Sequence, residues 1–127
     1  MIIEISGAKS MTDKIEEEFD INQVAMTVIL NAGNARENID AALAMMANFN
    51  FAEASEQLQI AESQLLKAHN AQTNVIQRQA DGENMEYSLL FVHTQDTMMT
   101  INTELRMSRK MQPIFAALYE QMKGANN

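Results

Sequence analysis

Residues 51–79 read FAEASEQLQIAESQLLKAHNAQTNVIQRQ. Phe51, Ala54, Leu58, Ala61, Leu65, Ala68, Gln72, Val75 and Gln79 follow one another in alternating steps of three and four. That is the heptad seam of an amphipathic helix. Alanine takes every second seam position up to Ala68, and side chains that small let a neighbouring helix come close. The helix has its own signals at both ends. Asn50 is an N-cap residue with Glu53 three places on, the spacing of a capping box, and Asp81-Gly82 marks a turn.

The same period extends outward. From Ile21 to Ala47 the residues Val24, Val28, Ala32, Ala35, Ile39, Ala42, Leu43 and Met46 predict a first helix. Gly33 lies inside it and would cost about 1 kcal/mol relative to Ala in an exposed helix interior. Its presence there predicts close approach of another helix. The run Asn48-Phe49-Asn50-Phe51 breaks the pattern. A third helix is expected from an N-cap at Ser88 to about Met122, kinked or ended near Gln112 by Pro113. Three helices with short connections make an all-α, antiparallel, up-down-up bundle. Residues 20–127 form its domain. Residues 1–19 stand apart, with an apolar start (Met1 to Ile5) and an acidic patch of Asp13, Glu16, Glu17, Glu18 and Asp20. They read as a solvated, poorly ordered N-terminal arm. There is no internal repeat and no low-complexity segment.

Composition narrows the function. The 127 residues are 46% apolar and 20% charged, enough for one globular core. Only 4 Gly and 1 Pro leave too little turn chemistry for a β-sandwich or barrel. Without Cys, disulfides, thiol catalysis and Cys-type zinc sites are excluded. A net charge of −8 excludes a phosphate-backbone binder, so no nucleic-acid partner is expected. No apolar run approaches the ~18 residues of a membrane span, and no signal peptide is apparent. A soluble, cytoplasmic protein that does not insert into the membrane is expected. Eleven Met fit helices with adaptable surfaces, and Met45, Met46, Met98 and Met99 read first as core filler.

Two histidines carry the candidate chemistry. His69 shares a helix face with Gln72 and Thr73, three and four residues on, and Leu65 and Ile76 extend that face. A polar trio there is either a buried structural network or support for a site. His93 lies in SLLFVHTQDTMM, residues 88–99. Leu89, Val92, Asp96, Met99 and Thr103 keep the three-four spacing, which puts Asp96 at a seam position that is elsewhere apolar. A buried carboxylate must be paired, protonated or bound to metal. His93 is three residues earlier and within reach of it. His-x-x-Asp alone is weak. Neither histidine follows a Glu by three residues, as a di-iron bundle would require, and no nucleophilic triad or phosphate-binding Gly loop is present. A functional His93 and a plain core histidine both stay open on these grounds.

The segment around His93 resembles the L-x-x-V-H-x-Q-D-H-L-M-T signature of the lactose/cellobiose-type enzyme IIA proteins of the bacterial phosphoenolpyruvate-dependent sugar phosphotransferase system. Asn31-Ala32-Gly33-Asn34-Ala35-Arg36 is similar to the family's A-G-x-A-R. Asn48 to Ala54 is similar to its G-D-F-x-x-A turn, and Ala68 to Thr73 to its A-H-x-x-Q-T. The four motifs stand in order over about residues 20–122. The resemblance implies a three-helix subunit in a homotrimer with a coiled-coil-like helical core. It implies that His93 is the catalytic residue, taking a phosphoryl group from phospho-HPr. The group then passes to a cysteine of enzyme IIB, and on to a disaccharide of the lactose, cellobiose or chitobiose class entering through the membrane enzyme IIC. The family's axial aspartate falls on Asp96, implying a structural Mg2+ where three copies meet.

Residue chemistry agrees with these roles. Crowded carboxylates need a counter-ion, and a hard divalent cation supplies one. Neutral imidazole is a sound nucleophile for phosphoryl transfer. Gln95, Gln72 and His69 are candidates to support the phosphate. Two departures stand out: Thr97 where the family commonly has a second histidine, and Asn48 where Gly is usual. A regulatory paralogue that takes phosphate without passing it on, and a non-catalytic helical adaptor, are the competing readings.

Overall fold

The computed structural model describes residues 19–126. They form three helices: α1 (Ile21–Ala47), α2 (Phe51–Ala80) and α3 (Leu89–Ala125). No helix among the described residues is long and apolar enough to cross a membrane.

Each helix starts where the sequence predicts. The Asp20 carboxylate accepts from the backbone N–H of Asn22 (3.0 Å) and Gln23 (3.3 Å). Asn50 Oδ1 accepts from Glu53 N–H at 3.5 Å. That is only half of the expected box, because the Asn50 N–H goes to the carbonyl of Met45 instead. Ser88 Oγ accepts from Phe91 N–H at 3.0 Å and donates to Asn22 Oδ1 at 2.7 Å. Such caps satisfy backbone donors that the first helical turn leaves free. The Ser88–Asn22 bond also pins the start of α3 beside the start of α1, so these two helices run parallel and α2 runs back between their ends.

The predicted seam of α2 is the seam observed. Ala54, Leu58, Ala61, Leu65, Ala68, Gln72 and Val75 are buried, and α1 meets them with Ala25, Val28, Ala32, Ala35, Ile39, Ala42 and Met46. The alanines bring the two backbones together, and Leu58, Ile39 and Val28 fill the space between the layers. Polar pairs lace the edges. Arg36 makes a two-point bond to the Glu104 carboxylate (3.1 and 3.0 Å), which holds its pKa above the ordinary guanidinium value against the opposing effect of desolvation. Asn38 bonds Gln64, Arg109 pairs with Glu62, and Gln112 Nε2 donates to the Phe51 carbonyl and to Ser55 Oγ.

The structure corrects or narrows three expectations. First, α3 buries Phe91, Thr94, Met98, Ile101, Leu105 and Ser108, not the stripe of Leu89, Val92, Asp96, Met99 and Thr103. That stripe faces outward. The helix carries two apolar faces, and periodicity does not say which one a chain keeps for itself. Second, of the two outcomes read for Pro113, an end near Gln112 is excluded: α3 runs through Pro113 to Ala125. Proline removes the hydrogen bond to the Arg109 carbonyl, but Pro113 is exposed and water can serve that oxygen. Beyond it, Tyr119 stacks on Phe49 (centroids 4.3 Å apart) and packs near Phe51, holding the last turns to the α1–α2 connection. Third, no atom beyond α1's own backbone comes within 4 Å of where a Cβ on Gly33 would sit. Gly33 is on the outer side of α1, so neither α2 nor α3 approaches it. In the α1–α2 connection the residue with a positive φ is Phe49, next to Asn48. Phe49 has φ 60°, the left-handed region that costs a side chain about 1–2 kcal/mol. Its stacking on Tyr119 offsets part of that.

Residues 1–18 of the expected N-terminal arm lie outside the described residues. Phe19 is held under Arg78, whose guanidinium lies 4.4 Å from the ring centroid.

Candidate functional site

The site is the outward flank of α3 in its first three turns. Ser88 fixes where the helix begins, so the helical period sets the direction of every side chain after it. At about 100° per residue, Thr97 lies about 40° around the helix from His93, Asp96 about 60°, and Gln95 about 160°. His93, Asp96 and Thr97 therefore share one flank. Gln95 belongs to the other side of the exposed stripe.

His93 is exposed, and among the described residues its ring makes no hydrogen bond or ion pair. The nearest polar contact is to its backbone, where Thr97 Oγ1 donates to the His93 carbonyl at 3.0 Å. Asp96 is also exposed and unpaired among these residues, and its carbonyl accepts from Thr100 Oγ1 at 2.9 Å. The carboxylate at a seam position is thus solvated in the single chain, and the burial conflict read from the sequence does not arise within one bundle.

His69 and Gln72 belong elsewhere. They line a cleft of about 520 Å3 between α2 and α3, with Leu65, Leu66, Met98, Met99 and Arg106. Met98 is the lining residue nearest His93 along α3, five residues on and roughly 7.5 Å along the axis, and His93 itself does not line the cleft. Among the described residues no hydrogen bond joins His93 to His69 or Gln72. The polar trio around His69 is split as well. Gln72 is buried and its Oε1 has no partner among the described residues, whereas His69 is exposed with Nε2 3.5 Å from Thr73 Oγ1. Leu65 extends the face inward, but Ile76 is exposed. A second buried oxygen without a partner is Thr94 Oγ1, on the core side of the turn that carries His93. The sequence reading did not single out Thr94. Its signal was a polar residue at a core position of α3.

Among the described residues of one chain, no three His, Asp or Glu side chains converge as a metal site would require. Asp96 offers a single hard oxygen donor group on an exposed stripe. What one chain presents is an unblocked imidazole close to a helix N-terminus, with a hydroxyl one turn on and a carboxylate beside it. Such an imidazole is free to act as a nucleophile.

Comparison with known proteins points to one family. Residues 23–116 match the family model described as the lactose/cellobiose-specific IIA subunit of the PTS system. The lichenan-specific phosphotransferase enzyme IIA component of Bacillus subtilis is 36% identical over 107 residues, 84% of this chain and 96% of that one. The crystal structure of the PTS cellobiose-specific enzyme IIA from Bacillus anthracis superposes with a TM-score of 0.71 at 32% identity, covering 86% of this chain and 96% of its own. The IIA(Chitobiose) of the Escherichia coli N,N'-diacetylchitobiose branch, solved in complex with HPr, gives 0.66 at 27% identity, over 80% and 98% of the two chains.

Proposed function

The chain belongs to the lactose/cellobiose-specific IIA family of the sugar phosphotransferase system, and we propose that His93 is the residue on which it carries the phosphoryl group. The observation that carries this reading is the exposure of an unpaired His93 imidazole on the first turns of α3, inside the matched region. The donor is phospho-HPr; the chitobiose relative was solved in complex with HPr. The lone-pair nitrogen of His93 attacks phosphorus as the donor's phosphorus–nitrogen bond breaks. A cysteine sulfur of enzyme IIB then takes the group, and it leaves for a disaccharide entering through enzyme IIC. The chain works in the cytoplasm. Phosphoryl transfer asks mainly for positioning and charge stabilisation, which a capped helix start and an open approach provide.

The assembly is a homotrimer in which the outward stripe of α3 is covered by copies of itself. Support comes from the stripe itself: Leu89, Val92 and Met99 are exposed large apolar side chains in one row with Asp96. On a threefold axis the three Asp96 carboxylates would repel one another. Mg2+ suits such an oxygen donor set, and its charge would relieve the repulsion. The same symmetry bears on Gln95. It lies across the stripe from its own His93, so it would support the phosphate on a neighbouring chain's His93. His69 and Gln72 would act no closer than the subunit boundary.

The test is incubation with enzyme I, HPr and labelled phosphoenolpyruvate, beside His93→Ala. Acid-labile label on the wild type alone is expected. Label retained in His93→Ala, or none on the wild type with several competent HPr sources, overturns the assignment. In Asp96→Leu the trimer should persist or tighten without metal, and a monomer there would contradict the axial placement.

A further inference from the structure

We propose that Thr97 is the positioning residue for His93, its hydroxyl oxygen accepting the N–H of the imidazole so that the other ring nitrogen is presented as the nucleophile. The inference rests on His93 as the phosphoryl acceptor. Its starting point is the bond from Thr97 Oγ1 to the His93 carbonyl at 3.0 Å. A threonine hydroxyl has one proton and two lone pairs. With the proton committed to the backbone, the oxygen is left as an acceptor with a fixed direction. Thr97 is half-buried, one turn past His93 and on the same flank, so that acceptor is held still while the exposed ring can turn. Elsewhere in the chain the same spacing brings a ring nitrogen up to a hydroxyl, although Thr73, unlike Thr97, makes no bond to the carbonyl four residues back among the described residues. His69 and Thr73 have the same four-residue separation in α2, and there the ring nitrogen Nε2 lies 3.5 Å from the hydroxyl, the outer limit of a hydrogen bond.

Neutral imidazole carries one N–H and one lone-pair nitrogen, and what the N–H bonds to decides which nitrogen is which. With the N–H on Thr97, the free nitrogen forms the new bond to phosphorus as the donor's phosphorus–nitrogen bond breaks. The N–H stays on the ring throughout. The ring gains positive character while phosphorylated, and the Thr97 oxygen faces that N–H. When the group leaves for a sulfur, the phosphorus–nitrogen bond breaks and the ring returns to the same tautomer. No proton or electron passes to Thr97. At this position the resembling family signature has a histidine, which can supply an acceptor nitrogen in its neutral form, so a hydroxyl is a different solution in this chain.

The experiment measures the His93 tautomer ratio by nitrogen-15 NMR in the wild type, Thr97→Val and Thr97→Ser, with His69 as the internal control. It also measures single-turnover transfer from phospho-HPr. One predominant His93 tautomer is expected in the wild type, a mixture in Thr97→Val, and recovery in Thr97→Ser. The transfer rate at saturating phospho-HPr should fall about tenfold in Thr97→Val, the lower range for a hydrogen bond to a charged group, with the half-saturating concentration unchanged. Equal tautomer ratios and equal saturating rates in wild type and Thr97→Val would overturn the proposal. So would a Thr97→Ser variant that recovers neither. If the wild type takes no phosphoryl group, the acceptor reading fails, and the tautomer ratios still decide the hydrogen bond.

Discussion

The α1–α2 hairpin and helix α3 use apolar residues in opposite ways. The hairpin hides nearly everything it has along its seam: Ala25, Ala32, Ala35, Ala42, Ala54, Ala61 and Ala68 are all 0% exposed. α3 hides one row and displays another, with Leu89 70% and Met99 62% exposed. A seam of small residues closes on itself, although the hairpin still exposes Leu30 and Leu66 outside that seam. A row of large apolar residues in water is costly, and it persists only if something outside the chain covers it. The hairpin is the scaffold, and α3 is the face that meets other molecules. His93 sits on that face.

Substitutions can break this contrast, compared at one protein concentration because assembly shifts apparent stability. The largest effect is expected at Leu58, which fills the space inside the hairpin. Leu58→Ala should cost about 2–5 kcal/mol in chemical denaturation. Met107→Ala on the displayed side of α3 should cost far less in a dilute, dissociated sample. Equal losses would mean that the displayed row is part of the fold. Next comes Ala61→Leu, where overpacking the seam should cost about 1–3 kcal/mol. Ser88→Ala removes the cap of α3 and its tie to Asn22, for about 1 kcal/mol. The smallest change has the other sign. Gly33→Ala should stabilise the isolated chain by up to about 1 kcal/mol, because the Cβ meets open space. Loss of assembly in that variant would show that a neighbouring copy approaches α1 at Gly33.

The hairpin was legible from residues 51–79 and 21–47, because one apolar period maps onto one buried face. The caps at Asn50 and Ser88 were legible too, since the polar side chain and the first turn are local. α3 was legible as a helix but not in its orientation, because its two rows have the same period and only packing chooses between them. Pro113 left a kink and an end both open for a related reason. The penalty is local, while the contacts of Phe49 and Tyr119 that carry the helix past it are distant in sequence. The resemblance singled out His93 and Asp96 together with His69 and Gln72, and did not say that the latter two line a cleft on another helix. Gln95 lies across the stripe from its own His93, since residues two apart on a helix point to different sides, so the sequence alone does not say which chain's His93 it would serve. The role of Thr97 needed the observed hydroxyl bond.

The central claim is that phosphate is carried on the displayed face of α3. The direct measurement is mass-spectrometric siting of the acid-labile phosphoryl group after reaction with phospho-HPr, in a chain with only two histidines to choose between. The account predicts the group on His93. Phosphate on His69, in the cleft between α2 and α3, would contradict it.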